Sequence, residues 1–241
     1  MRFAFLSDIH GNATALEAVL NDLQSKQIDR IYILGDLCFR GPEPKRVLEL
    51  VQASGAKVIK GNADEWLVRG FKDGEVPEER LEMFQKERDW TLGRLDQADL
   101  DYLKNLSTDL VIDDGQDLIV HAFHATPNNL FDVVTVEDTE KIENELMIRD
   151  EADIYIYGHT HHPYIRSLHG KNIVNTGSVG MPFDGHPLAS YTIIDIQDGS
   201  HSIQLNRVPY NREHVVEIYK QSGYPNIEEM GAVIYYAVRP K

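Results

Sequence analysis

Short apolar runs alternate with helical patterns along the first half of the chain. Residues 3–6, 31–34 and 57–59 are apolar runs of the length and composition typical of buried strands. Between them, apolar residues recur at helical spacing in segments 15–23 and 47–51. Strand, helix, strand, helix, strand in this order predicts right-handed crossovers and a largely parallel sheet.

The pattern changes at residues 64–107, which are charged, helical in period and poor in strand signals. We expect two or three helices there, separated by a loop at Gly74 and Pro77. We interpret this segment as a helical insert that packs beside the core.

The second half returns to strand patterns, and a last helix is predicted at 211–221. The predicted strands cover residues 110–112, 118–123, 154–157, 164–168, 173–175, 191–196 and 203–208. The sequence Asp113-Asp114-Gly115 predicts a hairpin turn between the first two of these strands. Internal repeats and linker-like segments are absent from the sequence, so we expect one domain over residues 1–241.

Composition agrees with a soluble globular protein. The chain has 241 residues, of which 42% are hydrophobic and 26% charged. Apolar runs stay well short of the ~18 residues that a membrane helix needs, and the start does not resemble a signal peptide. Cys38 is the single cysteine, so an internal disulfide is excluded. Together these features predict a cytoplasmic protein without a membrane partner.

The net charge of −15 restricts the partners. Such a charge repels nucleic-acid backbones and anionic lipid surfaces, so a nucleic-acid polymer is not an expected substrate. A small phosphate compound would be repelled as well unless bound cations reverse the local charge.

Most of the predicted strands in the parallel core end in a residue type that binds metals. The residues are Asp8, His10, Asp36, Asn62, His121 or His124, His159 and His161. The carboxyl ends of strands in open α/β sheets meet at one crevice, so we expect these side chains to converge. Singly, Asp8 fits a helix N-cap and Asp36 a plain turn, but three imidazoles within residues 159–162 are rare without a metal.

The mixed donor set indicates the class of metal. Carboxylate and amide oxygens combined with imidazoles suit Mn, with Fe, Zn, Ni or Co as alternatives, better than Ca or Mg. Six or seven donors exceed what one ion needs. Two divalent cations that share one bridging carboxylate would use them all.

The arrangement of these residues resembles the calcineurin-like metallophosphoesterase superfamily, in particular its small bacterial and archaeal branch. The resemblance rests on Asp8-x-His10, Gly35-Asp36, Gly61-Asn62, a strand-end His, Gly158-His159-Thr160-His161, and the stretches SDIHGNATALEAVL, GDLCFRGPEPKRVLEL and NTGSVGMPFDG. It implies an α/β (α+β) fold, a four-layer sandwich of two mixed sheets flanked by helices. It also implies one metal at Asp8, His10, Asp36 and His161, and a second at Asp36, Asn62, the strand-end His and His159.

Two features depart from the family pattern. Many members carry His after Gly-Asn as the acid that protonates the leaving group, and here that position is Ala63. His162, or whichever of His121 and His124 is not a ligand, is the candidate replacement. For the ligand itself we favour His124, because it lies at the end of the strand and because family members commonly show a strand, His, two residues and then Pro, which matches His124 and Pro127. Family members with His and a small residue straight after the apolar run match His121-Ala122 instead.

Two further residues are candidates for binding the substrate. Arg40, four residues after Asp36, is the candidate phosphate clamp, with an exposed loop arginine as the alternative. Asn12 could donate to the phosphate or cap the first helix, for which Thr14 and Glu17 form another candidate start.

The expected reaction is hydrolysis of a phosphomonoester or phosphodiester by a metal-bridged hydroxide, with Asp36, Asn62, Arg40 and His162 in the catalytic set. Three alternatives remain: a hydrolase of dinucleoside polyphosphates or other nucleotides, a protein Ser/Thr phosphatase, and a non-catalytic scaffold of the same fold. In the nucleotide alternative, Trp66 and Phe71 could stack a base. The sequence is also compatible with a homo-oligomer.

Overall fold

A computed structural model describes residues 1–113, 115, 118–197 and 200–239. The part of the chain before residue 108 contains the elements β1 (Arg2–Leu6), α1 (Ala13–Gln24), β2 (Arg30–Ile33), α2 (Pro44–Ala53), β3 (Lys57–Val58), α3 (Asn62–Arg69), α4 (Glu78–Leu92) and α5 (Gln97–Lys104). The strand–helix order matches the pattern of apolar runs.

The remainder of the chain is rich in strands and ends in two helices. Its elements are β4 (Asp109–Asp113), β5 (Ile119–Phe123), α6 (Thr139–Lys141) with a π-helical turn (Ile142–Leu146), β6 (Ile154–Tyr157), β7 (Tyr164–Leu168), β8 (Lys171–Asn175), β9 (Ala189–Gln197), β10 (Ser200–Val208), α7 (Arg212–Gln221) and α8 (Ile227–Tyr236). Asp114, in the middle of the predicted hairpin turn, lies outside the described residues, although β4 and β5 pair antiparallel on either side of it.

The described strands form two mixed five-stranded sheets. The first has the order β10-β9-β1-β2-β3, with β1, β2 and β3 parallel and β9 antiparallel to both of its neighbours. The second has the order β4-β5-β6-β8-β7, with β5, β6 and β8 parallel and the edge strands antiparallel. In the second sheet the parallel strands are central, whereas in the first they form one side of the sheet, with β3 at its edge.

The two sheets pack face to face through a buried apolar layer. It contains Phe5 and Tyr32 of the first sheet and Val120, Ile156 and Val174 of the second. Helices α1 and α2 cover the outer face of the first sheet, whereas α6 and the π-helical turn cover that of the second. The order of layers is helix, sheet, sheet, helix, so the four-layer sandwich is confirmed.

The region between β3 and β4 contains three helices, at the upper end of the expected number. Trp66, Phe84 and Leu103 belong to the same hydrophobic cluster as Leu16 of α1. The helical region is therefore packed on the first sheet's helices. No helix within the described residues is long and apolar enough to cross a membrane.

Helix α8 was not predicted. Its residues 230–236 are almost continuously apolar and lack the polar alternation that marks a surface helix. Met230, Val233 and Ile234 are buried against Val215 and Tyr219 of α7, so tertiary packing stabilises this helix.

Candidate metal centre

The predicted ligands come together at the carboxyl ends of five strands. Asp8 and His10 follow β1, Asp36 follows β2, Asn62 follows β3, His124 follows β5, and His159 and His161 follow β6. Three of these strands belong to the first sheet and two to the second. The site therefore lies where the carboxyl ends of both sheets meet.

Most of these residues adopt a backbone conformation that side chains normally avoid. Nine non-glycine residues in the described part of the chain have positive φ, and six of them belong to these loops. The six are Asp8, His10, Asp36, Arg40, His159 and His161, with φ between 48° and 69°. Left-handed conformations of non-glycine residues cost free energy and cluster at functional sites, so the fold holds these loops under strain.

Two glycines allow the Asp36 and Asn62 loops to approach closely. A Cβ atom on Gly35 (φ 89°) would lie 2.3 Å from the backbone nitrogen of Gly61. A Cβ atom on Gly61 would lie 2.1 Å from Oδ1 of Asp36. Only glycine fits at either position, because the two loops touch backbone to backbone.

One group of ligand atoms is formed by Asp8, His10, Asp36 and His161. One potential ligand atom from each residue lies within 4.8 Å of the other three, and all four residues are buried. Nε2 of His161 is 3.2 Å from Nε2 of His10 and 3.1 Å from Oδ1 of Asp8. Nε2 of His10 is 3.6 Å from Oδ2 of Asp36.

A second group is formed by Asp36, Asn62, His124 and His159. Oδ1 of Asn62 is 2.8 Å from Nε2 of His124 and 2.9 Å from Nδ1 of His159. Nε2 of His124 is also 3.5 Å from Oδ1 of Asp36. Asp36 therefore presents Oδ2 to the first group and Oδ1 to the second.

The tautomers of three imidazoles are fixed by backbone carbonyl groups. Nδ1 of His10 donates to Phe39 O (2.8 Å), Nδ1 of His124 to Leu34 O (2.7 Å), and Nδ1 of His161 to Met181 O (2.5 Å). In the neutral rings Nε2 then carries a lone pair. Backbone groups that orient imidazoles in this way are common around protein metal ions.

These lone pairs point at one another and at carboxylate and amide oxygens. Nε2 of His10 faces Nε2 of His161, and Oδ1 of Asp8 is buried with no hydrogen-bond partner among the described residues. Acceptors that converge without a donor repel one another, and a cation between them removes the repulsion. The donor set therefore fits divalent metal.

Burial has opposite effects on the two kinds of ligand. It lowers the pKa of both His10 and His159 to about 3, and it also lowers the pKa of His124. These imidazoles are therefore neutral and able to bind metal at neutral pH. Burial raises the pKa of Asp36 well above its usual range, and repulsion from Asp8 and Asp64 raises it further. A cation at the site would favour the ionised form of Asp36.

Several residues that support the ligands could not be identified from the sequence. The carboxylate of Asp64 accepts hydrogen bonds from the backbone N–H groups of Asp36 (2.8 Å), Leu37 (2.9 Å) and Gly61 (2.9 Å), and so joins two ligand loops. The hydroxyl group of Ser178 donates to Asp8 O at 2.7 Å. The available signal was an acidic residue in the first turn of a helix for Asp64, and the stretch NTGSVGMPFDG for Ser178.

Of the two candidate strand-end histidines, His124 lies among the converging donor side chains and His121 does not. His121 lies within β5, where its Nε2 is 3.0 Å from Oδ2 of Asp109 and its ring packs against Phe123 and Tyr155. Side chains alternate between the faces of a strand, and His121 belongs to the outer face of the second sheet. It is therefore remote from the site both as a ligand and as a proton donor.

Asn12 caps helix α1 and does not face the metal centre, contrary to one of its two interpretations. Its Oδ1 accepts from Ala15 N at 3.0 Å, and its Nδ2 donates to Gly180 O at 3.1 Å. Both polar atoms are engaged and the residue is 1% exposed, so it is not placed to bind a substrate phosphate. The helix begins at Ala13, which also corrects the predicted start at Thr14 and Glu17.

A cavity of about 520 Å³ opens onto the metal centre. Ligands from both groups line it, and so do Ala63, Arg40 and His162. His162 is exposed at this cavity, with its Nδ1 bonded to Thr160 O at 2.7 Å. Arg40 is 8% exposed, which excludes the interpretation as a solvated loop arginine.

Aromatic side chains form another part of the cavity wall. Phe39, Trp66, Phe84 and Phe131 all line the cavity. Trp66 makes edge-to-face contacts with Phe39 and Phe84, and its Nε1 donates to Glu75 at 3.0 Å. Phe71 packs against Trp66 at a centroid distance of 5.3 Å but is not among the cavity-lining residues. Trp66 is therefore part of a core cluster that also borders the cavity.

Comparison with known proteins gives consistent matches. Residues 1–199 match the family model of the calcineurin-like phosphoesterase superfamily domain. The chain is 29% identical over 238 residues to the uncharacterized protein MJ0912 of Methanocaldococcus jannaschii, covering 89% of this chain and 90% of that protein. It is 28% identical over 203 residues to the phosphodiesterase YfcE of Escherichia coli K12, covering 81% and 88%.

A solved structure extends the match to the whole chain. The metallophosphoesterase from Sphaerobacter thermophilus superposes with a TM-score of 0.78 at 25% identity, and the match covers 99% of both chains. The similarity therefore includes α7 and α8, which follow the segment matched by the family model.

Proposed function

The chain belongs to the calcineurin-like phosphoesterase superfamily, and from this membership we propose that it hydrolyses small phosphate esters at two divalent metal ions that share Asp36. The coarser conclusion, that the chain is a metal-dependent phosphoesterase, follows from the family and from the buried Asp/His cluster. The number of ions, the metal and the substrate are the proposed parts.

The observation that carries the proposal is the position of the two oxygens of Asp36. Oδ2 faces His10 of the first group at 3.6 Å, whereas Oδ1 faces His124 of the second at 3.5 Å. A carboxylate between two sets of potential metal ligands is suited to bridge two cations. Asp8, His10 and His161 would complete one site, and Asn62, His124 and His159 the other.

The ligand chemistry favours a transition metal. Imidazoles mixed with carboxylate and amide oxygens suit Mn, Fe, Zn, Co or Ni, and Mn is our first choice because oxygen donors make up about half of the set. Bound divalent ions polarise the phosphoryl group and lower the pKa of water from about 16 toward 7.

Backbone and side-chain groups of this protein have the remaining roles. The carbonyl groups of Leu34, Phe39 and Met181 orient the imidazoles through Nδ1, so that the ligand geometry exists before substrate arrives. Arg40, on the cavity wall, is the proposed contact for a phosphate or other anionic group of the substrate. His162 is the proposed proton donor for the leaving group, because it is an exposed imidazole in the same cavity.

The cavity favours small substrates over polymers. A volume of about 520 Å³ accommodates a compound of drug-like or nucleotide size. The net charge of −15 disfavours nucleic-acid polymers and anionic membranes. We therefore place the protein with phosphodiesterases and phosphatases of small molecules.

A nucleotide substrate is the second candidate, and two observations favour it. The residue after Asn62 is Ala63, so a side chain that protonates the leaving group is missing at that position. A phosphate leaving group, as in nucleoside polyphosphates, needs less protonation than an alkoxide. The aromatic wall with Trp66 and Phe131 offers apolar surface for a base.

The test is hydrolysis of a substrate panel at neutral pH by the chelated protein, with and without added Mn²⁺. The panel contains p-nitrophenyl phosphate, bis-p-nitrophenyl phosphate, a dinucleoside tetraphosphate, a 2′,3′-cyclic nucleotide and a phosphoserine peptide. Mn²⁺-dependent turnover of a small ester supports the proposal, and the preferred compound separates general phosphoesterase from nucleotide hydrolase. Preference for the peptide would favour a protein phosphatase, and metal binding without any turnover would favour a scaffold.

A further inference from the structure

Two arginines on the cavity wall converge on one carboxylate oxygen. Arg40 follows the metal-ligand loop after β2, and Arg80 lies in α4. Both line the cavity of the metal centre. Nη2 of Arg40 and Nη2 of Arg80 each donate to Oε1 of Glu229, in α8, at 2.5 Å. We refer to Arg40, Arg80 and Glu229 as the arginine–carboxylate cluster.

Guanidinium groups that share one oxygen form a suitable site for an anion. Arginine binds carboxylates and phosphates through charge-assisted hydrogen bonds, and two arginines near each other repel unless an anion lies between them. Glu229 supplies that anion from within the protein. Its Oε1 therefore marks a position where an anionic oxygen is stabilised.

A second carboxylate, Glu87, has a different relationship to Arg40. Glu87 is 0% exposed, its Oε2 lies 3.2 Å from Nε of Arg40, and its Oε1 accepts from Asn226 at 3.1 Å. If the carboxylate of Glu87 moved away, the buried guanidinium of Arg40 would lose a charge partner in an apolar environment. Glu87 therefore compensates the charge of Arg40 permanently.

Glu229, in contrast, can exchange with an external anion. Its side chain is 26% exposed, so it can turn into solvent and be hydrated. Exchange for a phosphate or carboxylate of a ligand preserves the balance of charge in the cluster. The backbone of Arg40 stays fixed during exchange, because the hydroxyl group of Tyr219 donates to Arg40 O at 2.7 Å.

The cluster is close to the metal centre. Nδ1 of His10 donates to the backbone oxygen of Phe39, the residue before Arg40, at 2.8 Å, and His10 and Arg40 line the same cavity. A single small molecule in the cavity of about 520 Å³ can reach both places.

We propose that Arg80, together with Arg40, forms an anion subsite that binds a second anionic group of the substrate, distinct from the phosphate that is cleaved. Glu229 occupies this subsite in the absence of substrate. The inference rests on the proposed function, since it assumes that the cleaved phosphate lies at the metal centre. Arg80 is then the residue that makes the enzyme prefer substrates with two anionic groups over those with one.

Calorimetric binding to the Mn²⁺-loaded protein tests this without requiring turnover. The ligands are the monophosphates and bisphosphates of propane-1,3-diol, butane-1,4-diol and hexane-1,6-diol, at a fixed free Mn²⁺ concentration. A bisphosphate has two equivalent ends, and either can bind at the metal centre. Its apparent affinity is therefore twofold higher than that of the monophosphate on statistical grounds alone. We expect at least one bisphosphate to bind roughly tenfold more tightly than its monophosphate, as a charge-assisted contact provides.

Three variants test whether the tighter binding of the bisphosphate depends on the arginine–carboxylate cluster. Arg80→Gln should reduce the bisphosphate advantage to about the twofold statistical value and leave monophosphate binding unchanged. Glu229→Gln should increase the advantage several-fold, because the internal competitor loses its charge. Lys86→Gln, the matched control on the same helix, pairs with Glu82 and does not line this cavity, so it should change neither affinity.

The possible failures are distinguishable. A twofold or smaller advantage for every bisphosphate in the wild-type protein, or an advantage that persists in Arg80→Gln, would overturn the subsite. Monophosphate binding that does not depend on Mn²⁺ would instead overturn the proposed function, and with it the premise of the subsite. Thermal unfolding of each variant verifies that it is folded.

Discussion

The Nε2 atoms of His10 and His161 face each other at 3.2 Å, although the Nδ1 atom of each ring already donates to a backbone carbonyl group. Two neutral imidazoles in this arrangement place lone pair against lone pair. Burial lowers the pKa of His10 to about 3, so protonation of His10 does not relieve the repulsion at neutral pH. A metal ion is the simplest species that makes this contact favourable.

Removal of metal should therefore destabilise the protein. A ligand present at one hundred times its Kd adds about 2.7 kcal/mol to the free energy of unfolding. For a chain of this size we expect Mn²⁺ to raise the Tm by roughly 5–10 °C over the chelated protein. Differential scanning fluorimetry with chelator and with added Mn²⁺ measures this. Equal Tm values in the two conditions would contradict a buried metal centre.

Alanine substitutions of His121, in β5, and of His124, in the loop after β5, should have different effects on metal content. His124→Ala removes a ligand from the second group, so we expect it to lower the metal content per chain and reduce kcat by at least about a hundredfold. His121→Ala lies on the outer face of the sheet and should leave metal content unchanged while it lowers stability by about 1–3 kcal/mol. Elemental analysis and urea unfolding measure the two properties. Loss of metal from His121→Ala would reverse the assignment.

Asp64 should be required for metal affinity although it does not touch the metal ligands' side chains. In Asp64→Asn, one oxygen that accepts backbone N–H groups is replaced by an NH₂ group, so we expect a loss of about 1–3 kcal/mol in stability and of about 10–100-fold in metal affinity. Asp101→Asn, an exposed position on α5, is the control. Wild-type metal affinity in Asp64→Asn would mean that the loop geometry is set elsewhere.

Two glycines should respond to alanine in opposite directions. In Gly61→Ala the new Cβ would lie 2.1 Å from Oδ1 of Asp36, so we expect the ligand loop to shift and activity to be lost. In Gly231→Ala, within α8, nothing lies within 4 Å of the new Cβ, and helix propensity should stabilise the fold by about 0.5–1 kcal/mol. Activity assays and urea unfolding compare the pair. Normal activity of Gly61→Ala would refute the close approach of the two loops.

The sequence predicted the sheets and the convergence of the candidate ligands well, because both depend on local signals. A buried strand is a short apolar run, and its carboxyl end is where the chain turns into the crevice. The positions of the candidate ligands in the site could therefore be predicted from the ends of the apolar runs, as for Asp8, Asp36 and His159. His124 was favoured over His121 by the same rule, since β5 ends at Phe123.

The remaining features depend on contacts between distant segments. Asp64 is recognisable as important only once the loops of Asp36 and Gly61 are side by side. The ion pair between Arg40 and Glu229 joins residues that are 189 positions apart in the sequence. The hydrogen bond from Asn12 to Gly180 O, 168 positions away, decides between the two interpretations of Asn12. That residues 1–241 form a single domain stays a prediction.

The central claim is that two metal ions share Asp36, and a Mn²⁺ titration of the chelated protein tests it most directly. Hydrolysis of the best substrate in the panel is measured against equivalents of Mn²⁺ for the wild-type protein and for Asp36→Asn. We predict that wild-type activity reaches its plateau at two equivalents per chain. Asp36→Asn should bind fewer ions and lose at least about a thousandfold in kcat. Full activity at one equivalent, turnover in the presence of chelator, or an active Asp36→Asn would contradict the account.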